Sequence, residues 1–215
     1  MAAKVVNRCV IICGSPDVSA EFIREFVRDD DFIIVADSGL NYAKKGGIKP
    51  DLLVGDFDSY TGILPKDVKT VCLPTHKDDT DSMHCAAVAE ELGYKEVCLL
   101  AAIGGRLDHT LANLSVLKYL TERGIKCESV SESETVCCFG QGEHGLSGNV
   151  GKTFSVIPAF CDSVVVSYRG DVEYPAEGLK LSGSLTVGVS NIFRSDENSI
   201  VVESGVAFVL INNCV

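Results

Sequence analysis

The sequence predicts two domains of different fold class, an α/β domain followed by an all-β domain. Up to about residue 125 short apolar runs alternate with helical patterns, and after about residue 130 short β-rich runs are separated by Gly, Ser, Asp and Asn. Alternating strands and helices are typical of a parallel sheet covered by helices, whereas closely spaced strands with turn signals favour an antiparallel sandwich. We therefore predict a Rossmann-like parallel-sheet domain over residues 1–140 and a C-terminal antiparallel β-sandwich over residues 141–215.

The strands and helices of the first domain follow one another in a regular order. The predicted strands lie in the runs VVNRCVIIC, DFIIVAD, LLV and KEVCLLAAI, and the helices lie in AEFIREFV, SGLNYAKK, MHCAAVAEEL and LDHTLANLSVLKYL. In the third helix, Cys85, Val88, Ala89 and Leu92 recur at the spacing i, i+3, i+4 and i+7, which places them on one face. We expect that face to pack against the sheet.

The second domain is predicted from six β-rich runs. They read ETVCCFG, KTFSVIPAF, DSVVVSY, GSLTVGVS, NSIVVES and VAFVLIN, and no convincing helical pattern lies between them. We place the boundary between the two domains in the glycine-containing stretch from Gly140 to Gly151.

Composition and charge narrow the classes of partner. Lys and Arg total 19 against 30 Asp and Glu, a net charge of -11, so the chain lacks the basic surface that a nucleic-acid partner requires. A small phosphorylated ligand can still bind where a divalent cation lies between carboxylates and phosphates. No apolar run approaches the roughly 18 residues of a membrane span, and cysteines without a CxxC pair suit reduced thiols, so we expect a cytoplasmic protein with no membrane partner.

Four polar clusters adjoin the apolar runs of the first domain, and they read ADSGLN, GDFDS, KDDTDS and GGRLDH. Three of them follow predicted strands, and ligands of parallel sheets bind where the carboxyl ends of the strands meet. In GDFDS, an extended chain would point Asp56 and Asp58 to one face and Phe57 toward the core. Two carboxylates aimed at one point suit Mg²⁺, and a pair of turn-forming acids at a strand end is an equally good explanation.

The clusters KDDTDS and GGRLDH carry further candidate residues. Asp78 and Asp81 are expected to begin the next helix on one face, and taken alone they are better explained as capping acids than as ligands. In GGRLDH, the glycines let a backbone approach a ligand closely, and Arg106 offers a guanidinium group to phosphate oxygens. We interpret this cluster as a phosphate-binding loop at a helix start, with Asp108 either in the site or capping the helix and His109 a surface histidine.

The chain resembles the thiamine pyrophosphokinase family in four motifs of its first domain and two segments of its second. They are ADSGLN, KPDLLVGDFDS, KDDTDS and GGRLDH, followed by EGLKL and VGVSNIF. The resemblance runs from about residue 9 to residue 211, and the motifs keep the family's order. It implies an enzyme, a thiamine diphosphokinase, that transfers the pyrophosphoryl group of ATP to the hydroxyl of thiamine and releases AMP, with Mg²⁺. It also implies an α/β catalytic domain, a β-sandwich that binds thiamine, and a homodimer with sites between subunits.

The resemblance assigns roles on the nucleotide side of the site. Asp56, Asp58 and Asp81 would hold the metal and the phosphates, and Asp108 would lie close to the reacting centre. Either Asp108, as the first choice, or Asp81 would accept the proton of the alcohol. The other positions that the resemblance places near ATP are Asp37, Asn41, Asp78 and Arg106.

The thiamine side is assigned to residues of the second domain. Ser190 and Asn191 fall where the family binds the pyrimidine ring of thiamine. The position after GLK, usually aromatic in the family, is Leu181 in this chain. If an aromatic ring is needed to stack on thiamine, Phe193 is the candidate to supply it.

Two other functions fit the same residues. The fold and the phosphate chemistry do not fix the acceptor, so the nucleotide site could serve another alcohol, such as a hydroxymethylpterin. A non-catalytic nucleotide-binding sensor module is the second alternative. Release of AMP, assayed over a panel of alcohols, distinguishes the three functions.

Overall fold

The computed structural model describes residues 8–58, 60, 62–74 and 78–214, and the chain divides into two compact units, Met1–Ser131 and Glu132–Val215. This division precedes the predicted boundary at Gly140, because the run ETVCCFG forms a strand that pairs with the last strand of the second unit. Residues 5–7 of the predicted first strand lie outside the described residues. Within the described ranges, every helix is too short or too polar to cross a lipid bilayer.

The first unit contains a parallel sheet with helices in the connections. Its strands are β1 (Cys9–Ile12), β2 (Phe32–Ala36), β3 (Leu52–Gly55), β4 (Lys69–Cys72), β5 (Glu96–Leu100) and β6 (Lys126–Val130), and its helices are α1 (Ala20–Phe26), α2 (Leu40–Gly46), α3 (Asp81–Glu91) and α4 (Leu107–Glu122). The strands lie in the order β6-β5-β1-β2-β3-β4, and every adjacent pair is parallel. The α/β prediction is confirmed for this unit.

The order of these strands creates a place for a ligand. The chain passes from β1 to β2, β3 and β4 on one side and returns to β5 and β6 on the other, so the order reverses between β1 and β5. Ligands of open α/β sheets bind outside the carboxyl ends of the strands at such a reversal, since the loops diverge there. All four residues of β1 are buried, as expected of a central strand covered on both faces.

Local side chains set the ends of the helices. The side chain of Ser19 accepts the N–H of Phe22 at 3.1 Å and caps α1, and Thr80 caps α3 in the same way. Helix α2 ends at Gly47, whose φ of 67° lies in the left-handed region that glycine adopts without strain. These caps fix where the loops around the sheet begin.

The second unit is an antiparallel β-sandwich. Its strands are β7 (Glu134–Phe139), β8 (Gly142–Gly145), β9 (Thr153–Pro158), β10 (Ser163–Arg169), β11 (Leu179–Ser182), β12 (Asn191–Ile192), β13 (Ser199–Ser204) and β14 (Ala207–Asn212). Within this unit they pair antiparallel in the orders β12-β9-β14-β7 and β11-β10-β13-β8. Side chains from both sheets share one apolar core, so the predicted sandwich is confirmed.

The cysteines are thiols distributed through both units. All ten fall within the described residues, and none forms a disulfide. Seven of them are buried, and burial raises the pKa of the Cys9 and Cys85 thiols well above the ordinary value. The expectation of reduced thiols in apolar surroundings agrees with this distribution.

Candidate active site

A cleft of about 350 Å³ lies at the carboxyl ends of β1, β2 and β5. Its walls are the loops after these strands and the first turns of α3 and α4. Among the predicted site residues, Asp37, Asp81 and Arg106 line it, and His109 is exposed at its wall. The cleft therefore occupies the position that the reversal of strand order predicts.

Asp37, Asp56 and Asp58 form an acidic cluster, in which one carboxylate oxygen from each lies within 4.8 Å of the others. Asp37 follows β2 directly, and Asp56 follows β3. Gly55 permits this approach, because a Cβ at that position would lie only 3.1 Å from the Cα and N of Asp37. The structure thus brings Asp56 and Asp58 together, as their spacing predicts, and adds Asp37 to them.

The backbone that joins Asp56 to Asp58 differs from the prediction. Strand β3 ends at Gly55, and Phe57 has a φ of 56°, so this stretch is a turn and not an extended strand. The N–H of Asp58 donates to Oδ1 of Asp56 at 3.2 Å, which closes an Asx turn, and Phe57 packs on the core. Asp37 also has a positive φ, 38°, and backbone strain of this kind is concentrated at functional sites.

Asp81 lies in the cleft as the first residue of α3, and its Oδ1 is shielded from solvent. The N-cap is Thr80, whose side chain accepts the N–H of Met83 at 3.3 Å. Asp78 precedes the helix and is exposed, so the prediction that it shares a helix face with Asp81 is wrong. Among the described residues, the group of acids spaced to hold a metal contains Asp37 in the place expected for Asp81.

Arg106 and Asp108 form an exposed ion pair at the start of α4. Nε of Arg106 donates to Oδ1 of Asp108 at 3.1 Å, and Nη2 donates to Oδ2 at 2.6 Å. This hydrogen bonding lowers the pKa of Asp108 and raises the pKa of Arg106. A phosphate that binds Arg106 must therefore compete with Asp108, and Asp108 is a weaker base than an ordinary aspartate.

The glycine pair of GGRLDH contacts the loop after β1. The N–H of Gly105 donates to Oδ2 of Asp17 at 2.8 Å, and a Cβ at Gly104 would lie 2.1 Å from the same oxygen. We expected these glycines to admit a ligand, and in the structure they admit the side chain of Asp17. Asp17 was not among the predicted site residues, although its segment GSPD directly follows the first predicted strand, as three of the polar clusters follow theirs.

Two further residues, Asn41 and Cys13, differ in their position relative to the cleft. Asn41 is exposed on α2 and is not among the residues that line the cleft. Cys13 lines the cleft, and burial raises the pKa of its thiol to about 12. The thiol is therefore protonated at neutral pH and is a poor nucleophile.

The segment that contains the acidic cluster and most residues of the cleft matches a known protein family. Residues 23–129 match the model of the family described as "Thiamin pyrophosphokinase, catalytic domain", and all the acids described above except Asp17 lie in this segment. This segment belongs to the thiamine pyrophosphokinase family.

Relatives of the family align with nearly the whole chain. The thiamine pyrophosphokinase of Bacillus subtilis is 23% identical over 193 residues, 87% of this chain and 89% of the relative. Thiamin pyrophosphokinase 1 of Caenorhabditis elegans is 24% identical over 211 residues, 90% of this chain and 86% of the relative. The crystal structure of the Bacillus subtilis protein has a TM-score of 0.85 at 20% identity and covers 97% of this chain and 100% of that one. Thiamine pyrophosphokinases therefore share both domains of this fold.

Two of the residues that the resemblance assigned to thiamine are used inside the sandwich. Oδ1 of Asn191 accepts the N–H of Tyr174 at 2.9 Å, and its Nδ2 donates to the Tyr174 carbonyl at 2.8 Å. Phe193 is 1% exposed and stacks on Phe154 with the ring centroids 4.1 Å apart. The expectation that Phe193 stacks on a ligand is therefore wrong, because its ring is part of the core.

Ser190 and Leu181 differ in exposure. Ser190 is exposed and has a φ of 63°, and its N–H donates to Oγ of Ser155 at 3.0 Å. Leu181 is fully buried in the core of the sandwich. Leu181, at the position where the resemblance implied an aromatic ring, is therefore a residue of the sandwich core.

Proposed function

We propose that this chain is a thiamine diphosphokinase, which transfers the pyrophosphoryl group of ATP to the hydroxyl of thiamine and releases AMP. The observation that carries the proposal is the convergence of Asp37, Asp56 and Asp58 beside the cleft, within the segment that matches the catalytic domain of the family. Since a triphosphate is itself highly negative, three carboxylates can receive it only with cations between them.

The donor set of the acidic cluster fits Mg²⁺. Asp37, Asp56 and Asp58 offer carboxylate oxygens, which are the ligands that Mg²⁺ prefers. Oδ1 of Asp37 is shielded from solvent, and a cation lowers the cost of holding an anionic oxygen there. These three residues would hold the metal, which when bound would offset negative charge on the phosphate oxygens.

The cleft would receive the phosphate tail between the acidic cluster and the first turn of α4. Arg106 lines this cleft, and its guanidinium group would exchange the Asp108 carboxylate for a phosphate oxygen. The N–H groups at the start of α4 favour an anion in the same place. Contacts of Asn41 and Asp78 with ATP stay predictions from the resemblance.

Asp81 is the better placed of the two acids considered as the proton acceptor. It lies in the cleft as the first residue of α3, where a bound alcohol can reach its carboxylate. Asp108 is exposed, and its pKa is lowered by Arg106, which weakens it as a base. We therefore assign removal of the proton from the acceptor hydroxyl to Asp81.

The thiamine contact and the assembly of the protein are inferred from the resemblance. Ser190, which is exposed, would contact the pyrimidine ring, and the site would be completed by a second subunit of a homodimer. The reduced cysteines are consistent with action in the cytoplasm.

The proposal is tested with purified protein, ATP, Mg²⁺ and thiamine. Chromatography is expected to show thiamine diphosphate and AMP in equal amounts, and the Asp37→Asn variant is expected to lose this activity. Asp30→Asn, a change at an exposed acid outside the cleft, is the matched control and should retain it. Formation of AMP with a hydroxymethylpterin but not with thiamine, or nucleotide binding without any product, would overturn the assignment.

A further inference from the structure

Three hydrogen-bonded side chains, two of them buried, form a relay beside Asp81. The hydroxyl oxygens of Thr80 and Ser82 lie 3.0 Å apart, and the Ser82 hydroxyl donates to Oδ1 of Asn113 at 2.6 Å. Nδ2 of Asn113 donates to the carbonyl of Ala102 at 2.6 Å. Thr80, Ser82 and Asn113 are called the relay below.

The carbonyl of Ala102 fixes the direction of each hydrogen bond in the relay. A carbonyl only accepts, so the NH₂ group of Asn113 faces Ala102 and its amide oxygen faces Ser82. Ser82 therefore donates to Asn113 and accepts the proton of Thr80, whose oxygen accepts the N–H of Met83. Donors and acceptors thus match along the whole relay in a single arrangement.

The relay connects three segments of the cleft wall. Thr80 caps α3, Asn113 belongs to α4, and Ala102 follows β5, and all three residues line the cleft together with Ser82. Asp81 lies between Thr80 and Ser82 in the chain. The relay therefore holds the residues on both sides of Asp81.

Packing alone does not require polar side chains at these positions. Ser82 is 7% exposed and Asn113 is 9% exposed, whereas the other buried residues of α4 are Val116, Leu117 and Leu120. Burying an amide or a hydroxyl costs free energy unless it is hydrogen-bonded, and an apolar side chain could fill the place of Asn113 without that cost. The relay is thus better suited to fixing a geometry than to adding apolar contact.

We propose that Ser82 and Asn113 are positioning residues that hold the Asp81 carboxylate in the cleft. The proposal rests on the proposed function, in which Asp81 accepts the proton of the acceptor hydroxyl. Since misplacing a reacting group by about 1 Å can lower a rate by about 100-fold, loss of the relay reduces kcat more than it raises KM.

The kinetic test uses Ser82→Ala and Asn113→Leu, singly and together. Each single variant is expected to lower kcat by roughly 10- to 100-fold, with the KM for ATP changed by less than about 3-fold. The double variant should match the slower single variant, because the members of one relay act as a unit. Ser115→Ala is the control, because Ser115 lies on α4 with Asn113 but outside the relay. Its hydroxyl donates to the Leu111 carbonyl at 3.1 Å.

A crystal structure of the ligand-free Ser82→Ala protein gives a readout that does not depend on activity. The carboxylate of Asp81 is expected to shift by about 1 Å or more relative to the wild-type protein. An Asp81 carboxylate that has not moved overturns the proposal. A wild-type kcat in both single variants also overturns it, and a lower stability in urea unfolding would then show that the relay serves stability alone. If the wild-type protein forms no AMP, the proposed function fails, and the position of Asp81 still decides whether the relay places it.

Discussion

Asp56→Asn removes one negative charge from the acidic cluster while keeping the shape of the side chain. Asparagine retains Oδ1, so the hydrogen bond from the N–H of Asp58, 3.2 Å long in the native protein, is preserved. The carboxylates of the cluster lie within 4.8 Å of one another, and repulsion between them opposes folding when no cation is bound. The substitution should therefore change stability and activity in opposite directions.

Coulomb's law gives the size of the effect on stability. Two unit charges 4.8 Å apart repel by about 1 kcal/mol at the dielectric constant of water and by about 3.5 kcal/mol at an effective constant of 20. Asp56 is half-buried and Asp58 is exposed, so the repulsion lies between these limits. We expect the free energy of unfolding of the metal-free variant to exceed that of the wild type by about 1 to 3 kcal/mol at low ionic strength. For a chain of this size, each kcal/mol corresponds to a rise in Tm of about 2–4 °C.

The assay compares thermal unfolding in EDTA and in saturating Mg²⁺. A ligand that binds only the folded state raises Tm, so Mg²⁺ should raise the Tm of the wild type and should raise that of Asp56→Asn much less. Pyrophosphate transfer by the variant should be lost. The control Asp30→Asn changes the same net charge at an exposed site and should follow the wild type in every measurement.

Two outcomes would refute this reasoning. The first is an Asp56→Asn protein that is less stable than the wild type in EDTA, because the three carboxylates would then not repel one another in the folded state. The second is an equal rise in Tm with Mg²⁺ for both proteins, because the cluster would then not be the cation site. Wild-type turnover by the variant at saturating Mg²⁺ would remove the catalytic role of Asp56.

The remaining predictions concern packing and ionisation. Arg8→Met removes the guanidinium partner of Asp31, whose side chain is 1% exposed. Urea unfolding should show a free energy of unfolding that is lower by about 3–5 kcal/mol, because the Asp31 charge is left buried and unpaired. A decrease below about 1 kcal/mol would contradict the buried ion pair. Phe193→Ala opens a cavity in the sandwich core and should lower the free energy of unfolding by about 3–5 kcal/mol. An unchanged free energy of unfolding would mean that the ring is not buried. The Arg106 pair lowers the pKa of Asp108, so its contribution to stability is present above the ordinary aspartate pKa and is lost as the pH falls through the lowered value. In Arg106→Gln, ¹³C NMR should show the Asp108 midpoint rising toward the ordinary value, and an unchanged midpoint would exclude the pairing.

The central strands and the helices could be predicted from the sequence because they are long and strongly patterned. The burial of β1 on both faces gives a continuous apolar run, and the caps at Ser19 and Gly47 are local signals. The strands β4 and β6 of the first unit and β8, β11 and β12 of the second were missed, and the run GSLTVGVS, predicted as a strand, forms turns between β11 and β12. Strand β4 has no fully buried residue, and β6 begins with a lysine and carries a glutamate, so neither shows a clear apolar pattern.

The positions of the site residues could be predicted, but their detailed geometry could not. The carboxyl ends of parallel strands bring Asp37 and Asp56 together regardless of loop conformation. The left-handed φ of Phe57 is not evident from its residue type, since glycine or asparagine is the usual signal for that region. The contact between Asp17 and Gly105 joins loops 88 positions apart, and a local pattern contains no information on such a pairing.

The local sequence also does not predict whether Phe193 faces the core or the solvent. Phe193 follows the two-residue strand β12 and forms a single bridge with Val172, so alternation along the chain is too short to tell inward from outward positions. The resemblance to the family indicated a role in binding, whereas the packing of the sandwich determined a structural one.

The distribution of the ten thiols affects how this protein behaves once it loses its fold. Folded, the chain shelters seven of them from oxidants and alkylating reagents, and only Cys72 and Cys214 are exposed. Unfolded, all ten become accessible within one chain, and air oxidation can join them in many incorrect combinations. Heat denaturation without a reducing agent is therefore expected to be irreversible, and recovery of the native protein should depend on keeping dithiothreitol present throughout.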